Sequence, residues 1–176
     1  MADRIYKVLF LCTGNTARSI LAEKILAKDG SGRFNAFSAG SQPKGTVNPF
    51  ALKVLEGFGY PTEDARSKSW DEFEAPGASQ MDFVFTVCDN AAGEACPFWP
   101  GQPAKVAHWG IEDPAAVEGS DHDKGHAFIA AFHQLKGRIS AFLALPIQNL
   151  DPASVSQRLQ EIGRMEGATL GLTPAG

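Results

Sequence analysis

The chain has 176 residues, 44% of them apolar and 20% charged, and a formal net charge of −4. That composition is ordinary for one globular domain with a sizeable core, and it argues against a nucleic-acid-binding surface or a disordered chain. The three cysteines are odd in number and none forms a CxxC pair, which favours reduced thiols in the cytoplasm over a structural disulfide framework.

Residues 1–4 lead directly into the apolar run at residues 5–11, which reads as a buried strand. It is too short to span a membrane and lacks the pattern of a signal peptide. Cys12-Thr13-Gly14-Asn15-Thr16-Ala17-Arg18-Ser19 follows, and residues 20–28 then carry apolar positions at Leu21, Ile25 and Leu26, the spacing of a helix. Residues 34–39 read as a second strand. Residues 47–58 read as a second helix, with Val47, Phe50, Ala51, Val54, Leu55 and Phe58 on one side and Gly57, Gly59 and Pro61 ending it. A short helix is expected over 67–73 and a buried strand over 81–87, followed by a short capped helix over 89–95 and a last strand over 104–108. Residues 124–145 form a long amphipathic helix whose apolar side includes Phe128, Phe132, Leu135, Ile139 and Phe142. Asp151-Pro152 can start a final helix with a narrow stripe of Val155, Leu159 and Ile162, weakened at its far end by Gly163 and Gly167. Strands alternating with helices imply a parallel α/β sheet covered on both faces, with its chemistry at the carboxyl ends of the strands.

The segment from Cys12 to Ser19 is an anion trap with a nucleophile in it. Backbone amides of a tight loop and the positive end of the following helix converge on a point where an oxyanion can sit. Arg18 adds a planar, permanently charged fork, and positive potential at that focus favours the Cys12 thiolate. The Ser19 hydroxyl is placed to hydrogen-bond the sulfur. Without a Lys-Ser or Lys-Thr ending the loop does not imply a nucleotide.

This Cys-x5-Arg-Ser loop, with Gly14 and Asn15 inside it, resembles that of the low-molecular-weight protein tyrosine phosphatases and of the arsenate reductases built on the same fold. Phe37-Ser38-Ala39-Gly40 resembles the family's second strand and the turn after it, and Asp113-Pro114 its general-acid loop. The likeness spans roughly residues 4–145. It implies a three-layer α/β/α fold with a four-stranded parallel sheet and a phosphatase-like arsenate reductase domain over 1–148. It leaves unmatched a C-terminal helical extension over 149–176, read as a helix packed on the domain with a frayed end from Gly167 in preference to a partner-binding appendage. Thr13, Gly14, Asn15, Thr16, Ala17, Arg18 and Ser19 would then bind the oxyanion, with Cys12, Arg18 and Asp113 catalytic.

Within that family the reductase branch fits better. Phosphatases of this type carry tyrosines just after the Asp-Pro, where this chain has Ala115 and Ala116, and the reductases need further thiols, for which Cys88 and Cys96 are the candidates. If the Cys88 strand neighbours the first, as in the related fold, both cysteines end strands about 4.8 Å apart, within reach of a disulfide after a modest loop movement. If the eight steps from Cys88 to Cys96 are helical they span about 12 Å, too far for a bridge without unwinding. Either Cys96 joins a relay through such a change, or an external thiol attacks a Cys12–Cys88 bridge and Cys96 is structural. Ala17 stands where many relatives carry another cysteine.

The resemblance thus implies reduction of arsenate to arsenite, in arsenic detoxification, with phosphate as a competing anion. Thioredoxin or glutathione with glutaredoxin would supply the reducing thiol, with no bound cofactor. By the resemblance, Asn15 and Ser38, with Ser67, would be candidates to contribute to a monovalent-cation site known in some related reductases, although ordinary loop-bracing hydrogen bonds are the better reading. No zinc site is expected, since neither the cysteines nor His108 have the short ligand spacing of one. His122, His126 and His133 read as packed or solvent-facing residues and Trp70 and Trp99 as packing, while Trp109, four residues before Asp113, is a candidate pocket wall. The rival readings are a phosphatase acting on phosphotyrosine or small phosphate esters, and a non-enzymatic oxyanion-binding module.

Overall fold

The structure, a computed structural model, describes residues 5–73, 81–87 and 105–165. Cys88, Cys96, Trp99 and Gly167, and the helix expected over 89–95, lie outside the described residues.

Four strands form one sheet: β1 (Tyr6–Cys12), β2 (Phe34–Gly40), β3 (Phe83–Thr86) and β4 (Lys105–His108). All pairings are parallel and the order is β2-β1-β3-β4, so β1 is central. Its register sets Cys12 opposite Gly40 and Leu11 opposite Thr86. The continuous apolar run of β1 reflects burial on both faces. Val8, Phe10 and Cys12 point into the larger core, while Leu9 and Leu11 meet Ala39, Met81 and Val84 on the other face, where Phe37 and Trp70 pack.

The larger core is shared by α1 (Arg18–Asp29), α2 (Pro49–Gly57), α3 (Asp121–Leu143) and α4 (Pro152–Gly163). Local signals fix the starts of three of these helices. The Asn48 side chain accepts from the Phe50 amide ahead of α2, the Asp151 side chain does so from Ser154 in α4, and Ser120 with Asp123 forms a capping box at α3. The expected start of α2 at Val47 is therefore one residue ahead of its cap, and that of α3 at Lys124 is three residues late, because an Asp completes the box where Glu or Gln is usual. The helix expected over 67–73 shrinks to a 3-10 turn at Trp70–Phe73. Ser69 instead bridges Gly40, and the Lys68 carbonyl accepts from the Gly40 amide, so this stretch extends along the end of β2.

Trp109 is fully buried and stacks on Phe85 with ring centroids 3.8 Å apart. Its Nε1 donates to the Leu159 carbonyl at 2.9 Å. It is a core residue tying β4 to α4, which corrects its expected place in the pocket wall. Val155, Leu159 and Ile162 of α4 are buried, each side chain contributing about 1.5–3 kcal/mol at most by removal from water. Gly163, expected to weaken the helix, lies at a close approach of α4 to β4: a Cβ there would run into the His108 carbonyl oxygen and sit 3.1 Å from the Trp109 ring.

Candidate active site

Cys12 ends β1 and Arg18 opens α1, so strand, short loop and helix follow one another as the sequence predicts. The loop turns at Asn15, whose φ of 49° places it in the left-handed region that Asn tolerates better than other side-chain-bearing residues. No side-chain hydrogen bond caps α1 at Ala17, so the first-turn amides keep their donor capacity for an acceptor that is not a side chain.

The loop's carbonyls are tied from outside. Thr13 O accepts from the Gln42 amide at 2.9 Å, Thr16 O from the Asn48 amide at 2.9 Å, and Gly14 O from both the Lys44 amide and Ser67 Oγ at 3.1 Å. Carbonyls drawn outward leave the concave side of the loop to N–H groups, the arrangement that holds an anion. The close approach needs Gly40, where a Cβ would run into the Thr13 carbonyl oxygen and lie 3.0 Å from that of Cys12.

Asn15 is fully buried and joins two braces. Its Oδ1 accepts from the Lys68 amide at 2.8 Å, and its Nδ2 donates to Ser19 Oγ at 2.8 Å. As an acceptor in that bond, the Ser19 hydroxyl keeps its own hydrogen for another partner.

Arg18 reaches across to the segment after β4. Its Nη1 donates to the Ile111 carbonyl at 2.9 Å, and its Nη2 lies 3.7 Å from Asp113 Oδ2. The other oxygen of Asp113 accepts from the Ala115 amide at 2.9 Å and so caps the short 3-10 turn Pro114–Ala116. A cleft of about 250 Å³ opens between these parts, lined by Cys12, Thr13, Gly14, Thr16, Ala17, Arg18, Gln42, Lys44 and Asp113. A thiol, a guanidinium and a carboxyl group therefore face one small polar space. That set suits nucleophilic attack on a tetrahedral oxyanion with proton transfer to the departing oxygen.

Of the residues expected in the site, Cys12, Thr13, Gly14, Thr16, Ala17, Arg18 and Asp113 line the cleft. Asn15 and Ser19 lie behind the loop as its braces. Cys88 and Cys96 fall outside the described residues. The Val87 amide nevertheless donates to the Leu11 carbonyl at 2.9 Å, so the chain reaches Cys88 from a residue bonded to the one before Cys12. Ser67 braces the loop by donating to the Gly14 carbonyl, while Ser38 donates to Glu23 behind it at 3.0 Å. Sequence reasoning missed Gln42 and Lys44, which arrive on the turn after β2 with no local motif, and Lys68, which reads as an ordinary surface lysine. Among the described residues no three His, Cys, Asp or Glu side chains converge to hold a metal ion.

Comparison with known proteins follows the same lines. The sequence model of the low molecular weight phosphotyrosine protein phosphatase family matches residues 7–156. The chain is 35% identical over 135 residues to an arsenate reductase of Halalkalibacterium halodurans, covering 77% of this chain and 93% of that one. It is 31% identical over 135 residues to an arsenate reductase of Bacillus subtilis, with the same coverage. Among solved structures, an arsenate reductase in the phosphate-binding state superposes with a TM-score of 0.64 at 27% identity, covering 79% of this chain and 97% of that one. A low-molecular-weight protein tyrosine phosphatase from T. tengcongensis superposes with a TM-score of 0.63 at 26% identity, covering 78% and 97%. These likenesses identify the fold as three-layer α/β/α around the four-stranded parallel sheet.

Proposed function

The chain belongs to the low molecular weight phosphotyrosine protein phosphatase family, and within it we propose that it reduces arsenate to arsenite by thiol chemistry, in arsenic detoxification. The observation that carries this reading is the cleft itself. Cys12 and Arg18 face a small space whose described lining is polar and free of aromatic side chains, with Gln42 and Lys44 on its rim and Ala115 and Ala116 after the acid. A phosphotyrosine ring needs an apolar wall to lie against, whereas an inorganic tetrahedral anion needs only donors and positive charge. Relatives named as arsenate reductases, aligned over nearly their whole length, support the same choice.

Cys12 thiolate attacks arsenate held by the loop amides and Arg18. A sulfur–arsenic bond forms, and the departing oxygen takes a proton from Asp113 and leaves as water. Cys88 thiolate then attacks the Cys12 sulfur. The sulfur–arsenic bond breaks with its electron pair passing to arsenic, which leaves as arsenite, and a Cys12–Cys88 disulfide remains. The described strand ends support this step: Val87, the residue before Cys88 in sequence, donates its amide to the carbonyl of Leu11, the residue before Cys12. An external thiol donor then supplies the two electrons that restore the thiols, either the dithiol of thioredoxin or two glutathione thiols with glutaredoxin, with Cys96 as a relay thiol or as a structural residue. Phosphate, of the same shape and charge, competes for the loop. Thiols kept reduced in this way belong to a cytoplasmic protein. Among the described residues no helix is long and apolar enough to cross a membrane.

The test is arsenite formation by the purified protein with each donor system in turn, alongside hydrolysis of an aryl phosphate. Sustained arsenite with one donor is the expected result and identifies the partner. The near-equal likeness to a solved phosphatase keeps one alternative in view. No arsenite together with strong ester hydrolysis would move the assignment to that branch, and anion binding without either reaction to a binding module.

A further inference from the structure

Behind the anion loop, away from the cleft, lies a cluster of charges that the proposed reaction does not use. Lys68 is 8% exposed, and its Nζ donates to Arg66 O at 3.0 Å, Ser38 Oγ at 3.4 Å and Glu23 Oε1 at 3.5 Å. Three donors meet three oxygens, so the ammonium sits as a bound cation would, inside a cage drawn from α1, β2 and its own segment. Glu23, itself 6% exposed, also accepts from Ser38 and pairs through Oε2 with Lys24 at 3.1 Å. Lys24 in turn bonds Asp64 at 2.6 Å. Burial pushes Lys68 below the usual range of a lysine, an effect that Glu23 opposes and the nearby Arg66 and Lys24 reinforce.

The cage is tied to the loop through the backbone of the same residue. The Lys68 amide holds Asn15 Oδ1, its carbonyl holds the Gly40 amide, and Ser67 next to it holds Gly14 O. Anchoring the side chain of Lys68 therefore fixes the segment that keeps Asn15 in its left-handed turn, and Asn15 holds Ser19 in the first turn of α1.

We propose that Lys68 is a positioning residue of the oxyanion site: its ammonium is a tethered monovalent cation that locks the anion loop in its binding form and makes that form independent of dissolved cations. It acts through Asn15 and touches neither substrate nor Cys12. The inference rests on the reading of the Cys12 loop as an oxyanion site. It does not depend on arsenate reduction, because inorganic phosphate reports on the loop without redox chemistry.

The experiment is calorimetric titration of the reduced protein with inorganic phosphate at fixed ionic strength, in potassium chloride and again in tetramethylammonium chloride, whose cation is too large for the cage. The unaltered protein is expected to bind phosphate equally in both. Lys68→Met, which keeps the bulk but not the charge, is expected to bind about 10-fold more weakly in tetramethylammonium and to recover most of that loss in potassium, which needs the same oxygens. Glu23→Gln is expected to weaken phosphate binding in both salts, with no recovery, and it stands as the second probe if Lys68→Met does not fold. Potassium dependence in the unaltered protein, undiminished binding by Lys68→Met in tetramethylammonium, a folded Lys68→Met indifferent to potassium, or a Glu23→Gln that binds phosphate normally would each overturn the proposal. Absence of phosphate binding by the unaltered protein would instead overturn the oxyanion site on which it rests.

Discussion

Arg18 and Asp113 face each other across the cleft with 3.7 Å between Nη2 and Oδ2, while the other arm of the guanidinium is held by the Ile111 carbonyl. Only the outer arm of Arg18 is therefore shared between the carboxyl group and an incoming anion. This makes the two residues separable by kinetics. Arg18→Lys loses the planar fork and the Ile111 contact, and phosphate affinity should fall by about 10- to 100-fold. Asp113→Asn removes the proposed proton donor but frees Arg18 for the anion. Turnover should fall by about 10²- to 10⁴-fold while phosphate binds as tightly as before or more so. Calorimetry and initial rates on both variants check this, and a loss of phosphate affinity in Asp113→Asn would contradict the assigned roles.

In the proposed mechanism the two cysteines divide the reaction in time. Cys12→Ser removes the nucleophile and should reduce arsenite formation by at least about 10³-fold while leaving phosphate binding within a few-fold of normal. Cys88→Ser should still form the arsenic adduct on Cys12 but should not sustain turnover with a dithiol donor, because no disulfide resolves it. Intact-mass analysis after one exposure to arsenate, with multiple-turnover rates beside it, distinguishes the two. Repeated turnover by Cys88→Ser would exclude the relay.

What the sequence discloses here is local. The run of β1, the turn at Gly14-Asn15, Arg18 opening a helix and the Asp113-Pro114 turn are each written within a few residues, and each takes the place in the fold that its pattern implies. Residues whose roles depend on distant backbone left no such mark. Gln42 and Lys44 reach the cleft because the turn after β2 passes under Thr13 and Gly14. Lys68 is buried because strand register sets Ser38 beside α1 and leaves an oxygen cage there. The helix expected over 67–73 fails for the same reason, since pairing with Gly40 outweighs helical propensity. Trp109, read from its closeness to Asp113 in sequence, turns inward because α4 supplies a carbonyl for its ring nitrogen.

Acid sensitivity follows from three carboxylates on the described surface. The hydrogen bond from Lys24 holds Asp64 below the ordinary range, that from Arg66 does so for Glu72, and those from Ser154 for Asp151. Each is depressed in the folded state, so on acidification the unfolded chain takes up protons first, from about pH 4.3 for Glu and 3.9 for Asp. The stability they contribute is present above those values and is lost as pH falls through the lower folded ones. Urea midpoints should therefore decline between about pH 5 and pH 3, less steeply in Asp64→Asn. The Glu72 part should also shrink in high salt, because the Arg66–Glu72 pair is solvent-exposed on both sides. An unchanged acid slope in Asp64→Asn would remove the Lys24–Asp64 bond from this account.

The C-terminal helix gives the last prediction, because the family match stops at residue 156, partway along α4. Its remaining turns nonetheless carry the Trp109 hydrogen bond and the Gly163 contact against β4. Gly163→Ala places a methyl group against the His108 carbonyl oxygen, so helix and strand must separate. Overpacking of this kind costs about 1–3 kcal/mol, which in a chain of this size lowers the melting temperature by about 2–12 °C. Trp109→Phe leaves the Leu159 carbonyl without that donor and removes part of a stacked ring, with a loss of similar size. Because Ile111 and Asp113 follow Trp109 by only two and four residues, a displaced Trp109 also shifts the carbonyl that holds Arg18, and Gly163→Ala should weaken phosphate binding although it lies outside the family match. Thermal unfolding and phosphate titration of this variant check both effects. A lowered melting temperature with unaltered phosphate affinity would confine α4 to stability, and an unchanged melting temperature would remove the contact with β4 from the account.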